Sequence, residues 1–277
     1  MLNLIISEIT KCLKRVEFKV VVAATFAAVF LDFFTLCRNY LGADLSTVIS
    51  ASNATILTNQ IKTPLYAVFA ILLPLTVSLL YSDSYLMEKK LGLTQSVHTR
   101  ISKKQDIIAK SSAVAIVSFL VTLFPLLINL ALAMTAFPLQ GYNTLGLPDY
   151  KMLTYIDSGK VLEHLHVYSP YLNLLIFILI RSLFAAAFAL LSFGISFVGK
   201  INRYLVSLFS VVIYFVFQVV FDLLGSLIPD QKISAMLRGD LFAINGYGNL
   251  AWIIAGLVLF LGTGVVLITN GIRKEVI

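Results

Sequence analysis

Long apolar runs alternate with shorter polar segments along most of the chain. A helix needs about 20 predominantly apolar residues to cross the hydrocarbon core of a bilayer. Six runs come close to that length or exceed it, and they predict transmembrane helices over residues 20–36, 64–81, 113–137, 171–198, 204–228 and 250–269. The pattern therefore predicts an all-α membrane protein in which residues 1–277 form a single transmembrane domain.

The residues before the first apolar run, 1–17, are predicted to form an amphipathic helix. Apolar residues recur there at three- and four-residue spacing: Leu2, Ile5, Ile6, Ile9, Cys12, Leu13 and Val16. A helix of this kind with a basic polar face typically lies in the headgroup plane. A simple positive topology anchor is an equally compatible interpretation. The segment has no small-residue cleavage site, so we do not expect it to be a signal peptide.

The composition leaves no room for a separate soluble domain of ordinary size. Hydrophobic residues make up 59% of the chain and charged residues 13%, whereas soluble domains carry roughly 25% charged residues. The net charge of +7 does not indicate a nucleic-acid partner, because the basic residues lie where membrane topology requires them. No aromatic residues are interleaved with them on a polar surface.

The distribution of Lys and Arg predicts which side of the membrane each loop occupies. Residues 82–110, between the second and third runs, hold six of these cations: Lys89, Lys90, Arg100, Lys103, Lys104 and Lys110. With both termini inside, 14 Lys and Arg residues fall on the inner side and six in the outer loops. Because cations concentrate in cytoplasmic loops, we expect a cell-membrane protein with six spans and both termini cytoplasmic.

Local signals predict a structured hairpin over residues 82–110. The second span is expected to continue as a helix through Lys90, and Gly92 is a natural residue to end it. Residues 93–98 could form a short helix across the tip of the hairpin. Ser102 and Gln105 then fit a capping box at the start of the helix that becomes the third span.

Three outer loops are long enough to hold structure of their own. Residues 38–63 are polar, and residues 138–170 include a short amphipathic stretch around Val161 to Tyr168. Residues 223–249 are semi-apolar and contain several glycines. They suit a re-entrant segment shielded by protein or water, and a plain surface loop is the alternative.

Motifs for enzyme chemistry are weak in this chain. The run Gly194 to Lys200 resembles the start of a phosphate-binding loop, but Ile201 stands where a Ser or Thr should hold magnesium, and no strand precedes it. His164 and His166 are two residues apart and do not share a helix face, which argues against a zinc site. We therefore expect no catalytic residues and no metal or cofactor in this polypeptide.

Three ionisable residues fall inside predicted spans or near their ends: Asp32, Arg181 and Asp222. At 1.5 Å per residue, Asp32 lies about 18 Å from the inner start of the first span. Arg181 lies about 15 Å from the outer start of the fourth span, so both are expected near mid-membrane. Buried charge is costly unless it is paired or hydrated. One interpretation is a static interhelical ion pair between Asp32 and Arg181, and the other is a polar lining of a translocation pathway.

Taken together, this layout resembles the membrane subunit of ABC-2-type ATP-binding-cassette exporters. The amphipathic first helix, the six spans and the hairpin contribute to the resemblance. Glu88, Gly92, the segment Arg100 to Ser102, and Lys110 are similar to the family's acidic, glycine, Ser/Arg and lysine positions. The residue after Glu88 is Lys rather than Arg, and the proline often present before the Ser/Arg pair is missing. The hairpin does not match the corresponding motif of the importer permeases.

The resemblance implies a permease half-unit that pairs with an identical or paralogous chain and with a separate cytoplasmic ATPase subunit. ATP and Mg²⁺ would bind to that partner. The ATPase would contact the hairpin through eight residues: Glu88, Gly92, Leu93, Thr94, Gln95, Ser96, Val97 and His98. Membrane lipid is the remaining expected partner.

Aromatic residues in the fifth span bear on the cargo. They are Tyr204, Phe209, Tyr214, Phe215, Phe217 and Phe221. Together with the resemblance, they favour outward transport of an amphipathic or hydrophobic cargo such as an antimicrobial peptide, drug or lipid, with glycan export and ion extrusion as alternatives. Outside the family, the rivals are an ion-coupled carrier or channel that uses Asp32, Arg181 and Asp222, and a non-transporting scaffold.

Overall fold

A computed structural model describes residues 1–44, 47–58, 65–92, 101–140, 161–197, 202–228 and 250–276. The regular structure of these residues is entirely helical, as the apolar pattern predicts. In chain order the helices are α1 (Leu2–Lys14), α2 (Val16–Asn39), α3 (Leu65–Tyr81), α4 (Ser84–Lys90), α5 (Lys103–Ala136), α6 (Glu163–Tyr168), α7 (Pro170–Ile195), α8 (Arg203–Leu227) and α9 (Leu250–Val276).

Five helices in the described part of the chain are long and apolar enough to cross a membrane. They are Val16–Asn39, Lys103–Ala136, Pro170–Ile195, Leu205–Leu227 and Leu250–Arg273. These lengths and compositions are those of a multi-pass membrane protein. The remaining predicted span, 64–81, corresponds to α3, whose 17 residues reach about 26 Å. Residues 59–64, just before α3, lie outside the described part.

Helix α7 is central to the bundle, because α3, α5, α8 and α9 all pack against it. Small side chains allow this close packing: Ala185 and Ala189 are fully buried on α7. The contact with α9 is close, since a Cβ atom placed on Gly264 would lie 3.0 Å from the backbone nitrogen of Leu191. A glycine at position 264 is therefore what lets α9 approach the backbone of α7.

The expectation of one continuous helix from the second span through Lys90 is wrong. Helix α3 ends at Tyr81, and α4 begins at Ser84. Both residues of the break are engaged by other elements: the Ser82 hydroxyl donates to the carbonyl oxygen of Ala189 at 3.4 Å, and the Asp83 carboxylate accepts from Arg15 at 2.6 Å. These contacts hold the chain at a bend that the apolar pattern does not reveal.

The two ends of the hairpin follow the sequence signals. Helix α4 ends at Lys90, and Gly92 has a φ of +68°, a left-handed conformation that favours glycine. On the other arm, the Ser102 side chain accepts a hydrogen bond from the Gln105 backbone N–H and caps α5. The end of α4 before Gly92 and the Ser102 side of the predicted capping box are present, whereas the predicted crossing segment 93–98 lies outside the described residues.

Helix α1 is separated from α2 by the extended residue Arg15 and packs against α2 and α5. The first span therefore begins at Val16, four residues before the predicted start. Glu8, on the predicted polar face, is turned into the protein with 5% exposure. Leu2, Ile6 and Leu13 remain exposed, so α1 presents apolar side chains outward and binds the bundle partly through its polar side.

Residues 47–58, the described part of the segment between α2 and α3, are packed rather than solvated. Ala51, Ala54 and Ile56 are fully buried. The Ile56 backbone N–H donates to the Asn129 side-chain oxygen of α5 at 2.8 Å, which satisfies a backbone group inside the bundle. The segment therefore covers one end of α2 and α5.

The other two long loops are described in part. Helix α6 falls within the stretch Val161 to Tyr168 that the sequence singled out, whereas residues 141–160 lie outside the described part. Helix α8 extends to Leu227, so residues 223–227 are helical. The possible re-entrant segment beyond them falls on residues 229–249, which are also outside it.

Candidate functional site

Polar side chains from four helices and the breaks between them meet at the base of the hairpin. We call this group the hairpin-base cluster; it comprises Glu8, Lys11, Arg15, Tyr81, Asp83, Glu88, Asp106 and Lys110. It joins helix α1 to the end of α3, to α4 and to the first turns of α5. The cluster includes Glu88, a residue of the predicted coupling site.

Lys110 is the centre of the cluster. Its side chain is 0% exposed, and its ammonium nitrogen lies 2.5 Å from Glu88 Oε2 and 2.5 Å from Asp106 Oδ2. Asp106 is one turn earlier on α5, whereas Glu88 belongs to α4 across the hairpin. A buried charge is tolerated when it is paired and hydrogen-bonded, and here the two carboxylates provide both. The ion pairs therefore clamp α4 against α5.

The second carboxylate oxygen of Glu88 connects the clamp to α1. Glu88 Oε1 lies 3.7 Å from the ammonium of Lys11, which also binds Glu8 Oε1 at 2.5 Å. The other oxygen of Glu8 accepts a hydrogen bond from the Tyr81 hydroxyl at 2.7 Å. Glu88 thus bridges two lysines, and the chain of contacts runs from the end of α3 through α1 to α4 and α5.

A separate ion pair fixes the two helix breaks to each other. The guanidinium of Arg15, between α1 and α2, donates to Asp83, between α3 and α4, at 2.6 Å. The same guanidinium lies over the Tyr81 ring, 4.5 Å from its centre, which is a cation–π arrangement. The elbow after α1 and the bend after α3 therefore form one connected unit.

Burial and neighbouring charges act in opposite directions on two titratable groups of α1. Burial lowers the pKa of Lys11, but its hydrogen bond to Glu8 and the nearby carboxylates outweigh this and raise the pKa above its ordinary value. Burial raises the pKa of the Cys12 thiol to about 12. Cys12 is therefore protonated near neutral pH, and its Sγ lies 3.8 Å from the carbonyl oxygen of Leu80.

The structure brings only part of the predicted coupling site into this cluster. Glu88 is a central member, and Gly92 follows α4 two residues after its end. The remaining six residues, 93–98, are outside the described part. Sequence reasoning missed the roles of Glu8, Lys11 and Asp106, although the Glu8–Lys11 and Asp106–Lys110 spacings of three and four residues are standard helical pairing signals.

The three charged residues of the predicted spans differ in their burial. Asp32 is 0% exposed and Arg181 is 2% exposed, whereas Asp222 is exposed. Helix α2, which carries Asp32, packs on α1, α3 and α5; helix α7, which carries Arg181, packs on α3, α5, α6, α8 and α9. Both helices pack on α3 and α5, and the interpretation of Asp32 and Arg181 as a static ion pair stays a prediction.

The described aromatic side chains of α8 differ in their surroundings. Phe217 and Phe221 pack with Trp252 of α9, at ring-centre distances of 6.5 and 4.8 Å. Phe209 and Phe215 are exposed. The aromatic residues of α8 thus do not form one continuous stripe.

This chain matches no protein-family model, no curated protein and no solved structure. Its class is a multi-pass α-helical membrane protein, by the length and composition of its helices.

Proposed function

We propose that this chain is the membrane subunit of an ATP-driven exporter of the ABC-2 class. The observation that carries the proposal is the fully buried ammonium of Lys110 between Glu88 of α4 and Asp106 of α5. A push on the tip of a hairpin reaches the spans only if the base of the hairpin is stiff. Closely packed, paired side chains transmit strain in this way, whereas a solvated loop would absorb it.

In this proposal two permease chains and two ATPase subunits form the exporter. Residues 82–110 face the cytoplasm, as do both termini, and α3 is the second of six spans. The ATPase binds ATP and Mg²⁺ and rests against residues 93–98. Its closure moves α4, and Glu88 passes the motion to α5 through Lys110 and to α1 through Lys11.

The proposed cargo is an amphipathic or hydrophobic molecule, such as an antimicrobial peptide, a drug or a lipid, moved outward. The spans provide no line of carboxylates for a cation and no dense basic lining for a phosphorylated sugar. The exposed rings of Phe209 and Phe215 on α8 suit an apolar cargo.

An ion-coupled carrier or channel is the second candidate. Asp32 and Arg181 favour it, because both are almost completely buried on helices that cross the membrane, and intramembrane charges often mark ion pathways. The exposure of Asp222 speaks against a single relay through all three residues. A carrier would run on an ion gradient after ATP depletion, whereas the proposed exporter would stop.

A charge-neutralising variant of the clamp tests the proposal. Glu88→Gln keeps the shape of the side chain but removes the charge that Lys110 and Lys11 share. We expect transport and cargo-stimulated ATP hydrolysis to fall by about tenfold, the size of a typical coupling energy, with unchanged insertion into the membrane. The matched control is Lys90→Gln, at an exposed position of the same helix, which should transport normally. Wild-type transport by Glu88→Gln would refute the coupling role.

A further inference from the structure

A laterally open groove of about 520 Å³ lies between α1, the first half of α2 and the middle of α5. Its volume is within the range of about 300–1,000 Å³ that small-molecule sites occupy. Every side chain that lines it is apolar: α1 contributes Ile9 and Leu13, α2 contributes three residues, and α5 contributes seven. This groove takes no part in the hairpin-base cluster or in the proposed coupling.

The groove runs along α5. Its rim on α5 includes residues at four-residue spacing from Ile116 through Leu120 and Phe124 to Ile128, all of them exposed. Between Ile116 and Ile128, α5 rises about 18 Å. Val121 is buried and contributes to the floor. An apolar slot of this length, open to one side, fits an extended hydrocarbon chain better than a compact ligand.

Two exposed lysines are sequence neighbours of groove residues. Leu13 and Phe18 line the groove, and the residue after each is an exposed lysine, Lys14 and Lys19. Of the other charged residues in this stretch, Arg15 is engaged with Asp83, and Glu17 is half-buried. An apolar groove flanked by exposed cations is complementary to a molecule with a hydrocarbon tail and an anionic head, because each lysine near a membrane surface contributes about 1 kcal/mol toward anionic lipid.

We propose that this groove is a binding site for an anionic phospholipid, one acyl chain of which lies along α5 while its phosphate contacts Lys14 and Lys19. The site lies in the leaflet that α1 borders and does not depend on the proposed export function. Helix α1 forms one wall of the groove through Ile9 and Leu13 and bears Glu8 and Lys11 of the hairpin-base cluster. Bound lipid would thus stabilise the position of α1.

Lipid retention by the purified protein tests the proposal. The wild-type chain is purified in detergent, titrated with phosphatidylglycerol or phosphatidylcholine, and analysed by native mass spectrometry. We expect one phosphatidylglycerol per chain to bind about tenfold more tightly than phosphatidylcholine. Leu120→Trp, which fills the groove, should remove this tight binding. The control is Leu183→Trp, which changes an exposed leucine of α7 that does not line the groove, and it should bind as the wild type does.

The role of the two lysines is tested separately by replacing Lys14 and Lys19 together with Gln. We expect the preference for phosphatidylglycerol to disappear while the weaker binding of both lipids remains. Replacement of Lys103 and Lys104, which removes the same charge from the start of α5, should leave the preference intact. Equal loss in both double variants, or in both tryptophan variants, would overturn the site. A Leu120→Trp variant that keeps its lipid but changes from dimer to monomer would also overturn the site. That result would mean that a second copy of the chain, and no lipid, fills the groove.

Discussion

Lys110 and its two carboxylate partners show, at the scale of single residues, how a hairpin cation becomes part of a core. Charge counting treats it as one of six cations in a cytoplasmic hairpin, yet it is fully buried between Glu88 and Asp106. The Asp106 partner follows from four-residue helical spacing. The Glu88 partner is 22 residues away, and the contact depends on how the hairpin closes, which local spacing does not determine.

Lys110→Met should destabilise the folded protein, because it leaves two carboxylates at a largely buried site without their cation. Removal of one partner from a buried ion pair typically costs about 3–5 kcal/mol. Thermal unfolding in detergent measures the loss, and the added change Asp106→Asn should recover part of it. The control Lys104→Met, at an exposed position of the same helix, should change stability by less than about 0.5 kcal/mol. Equal stability of Lys110→Met and wild type would contradict the clamp.

At the scale of helices, sequence predicts what depends on apolar length and on local turn chemistry. Such local rules account for the apolar helices, for the end of α4 before Gly92 and for the Ser102 cap of α5. The break between α3 and α4 does not follow from local rules. It involves the ion pair of Asp83 with Arg15, a contact between two segments far apart in the chain.

Two glycines with open space around them form a matched pair of tests. A Cβ atom at Gly92 or at Gly262 would meet nothing within 4 Å, but only Gly92 has a left-handed backbone, with φ of +68°. Gly92→Ala should therefore destabilise the protein by about 1–2 kcal/mol through backbone strain. Gly262→Ala, within α9, should instead stabilise it by up to about 1 kcal/mol. Thermal unfolding measures the change in stability of both variants. A change of the same sign in both would contradict the assigned backbone conformations.

At the scale of the whole molecule, the apolar pattern predicts a helical bundle, and the described helices agree with it. The pattern does not predict which helices are neighbours. Counting residues predicts the same depth for Asp32 and Arg181, but depth alone does not say whether their helices are neighbours. Helix adjacency comes from contacts such as that of Gly264 with α7, whose fit is visible only once both backbones are positioned.

The proposed topology places the hairpin in the cytoplasm and the loop between α5 and α6 outside. In a background with Cys12→Ser and Cys37→Ser, Gln95→Cys should stay unlabelled by an impermeant thiol reagent in intact cells. Asp157→Cys should be labelled under the same conditions. Permeabilised cells provide the control, because there both positions should react. The reverse pattern in intact cells would show that the orientation is opposite to the one predicted from the charges.

Whether an ATPase accompanies the chain is the most direct test of the proposed function. The tagged chain should be purified in mild detergent from the membranes in which it is naturally made, and its partners measured by quantitative mass spectrometry and ATP hydrolysis. We predict that an ATP-binding-cassette subunit with ATPase activity copurifies in equimolar amount. This subunit should be lost when Glu88→Lys reverses the charge that holds Lys110 and Lys11. A chain that purifies without a nucleotide-binding subunit, and that transports on an ion gradient alone, would contradict the proposal.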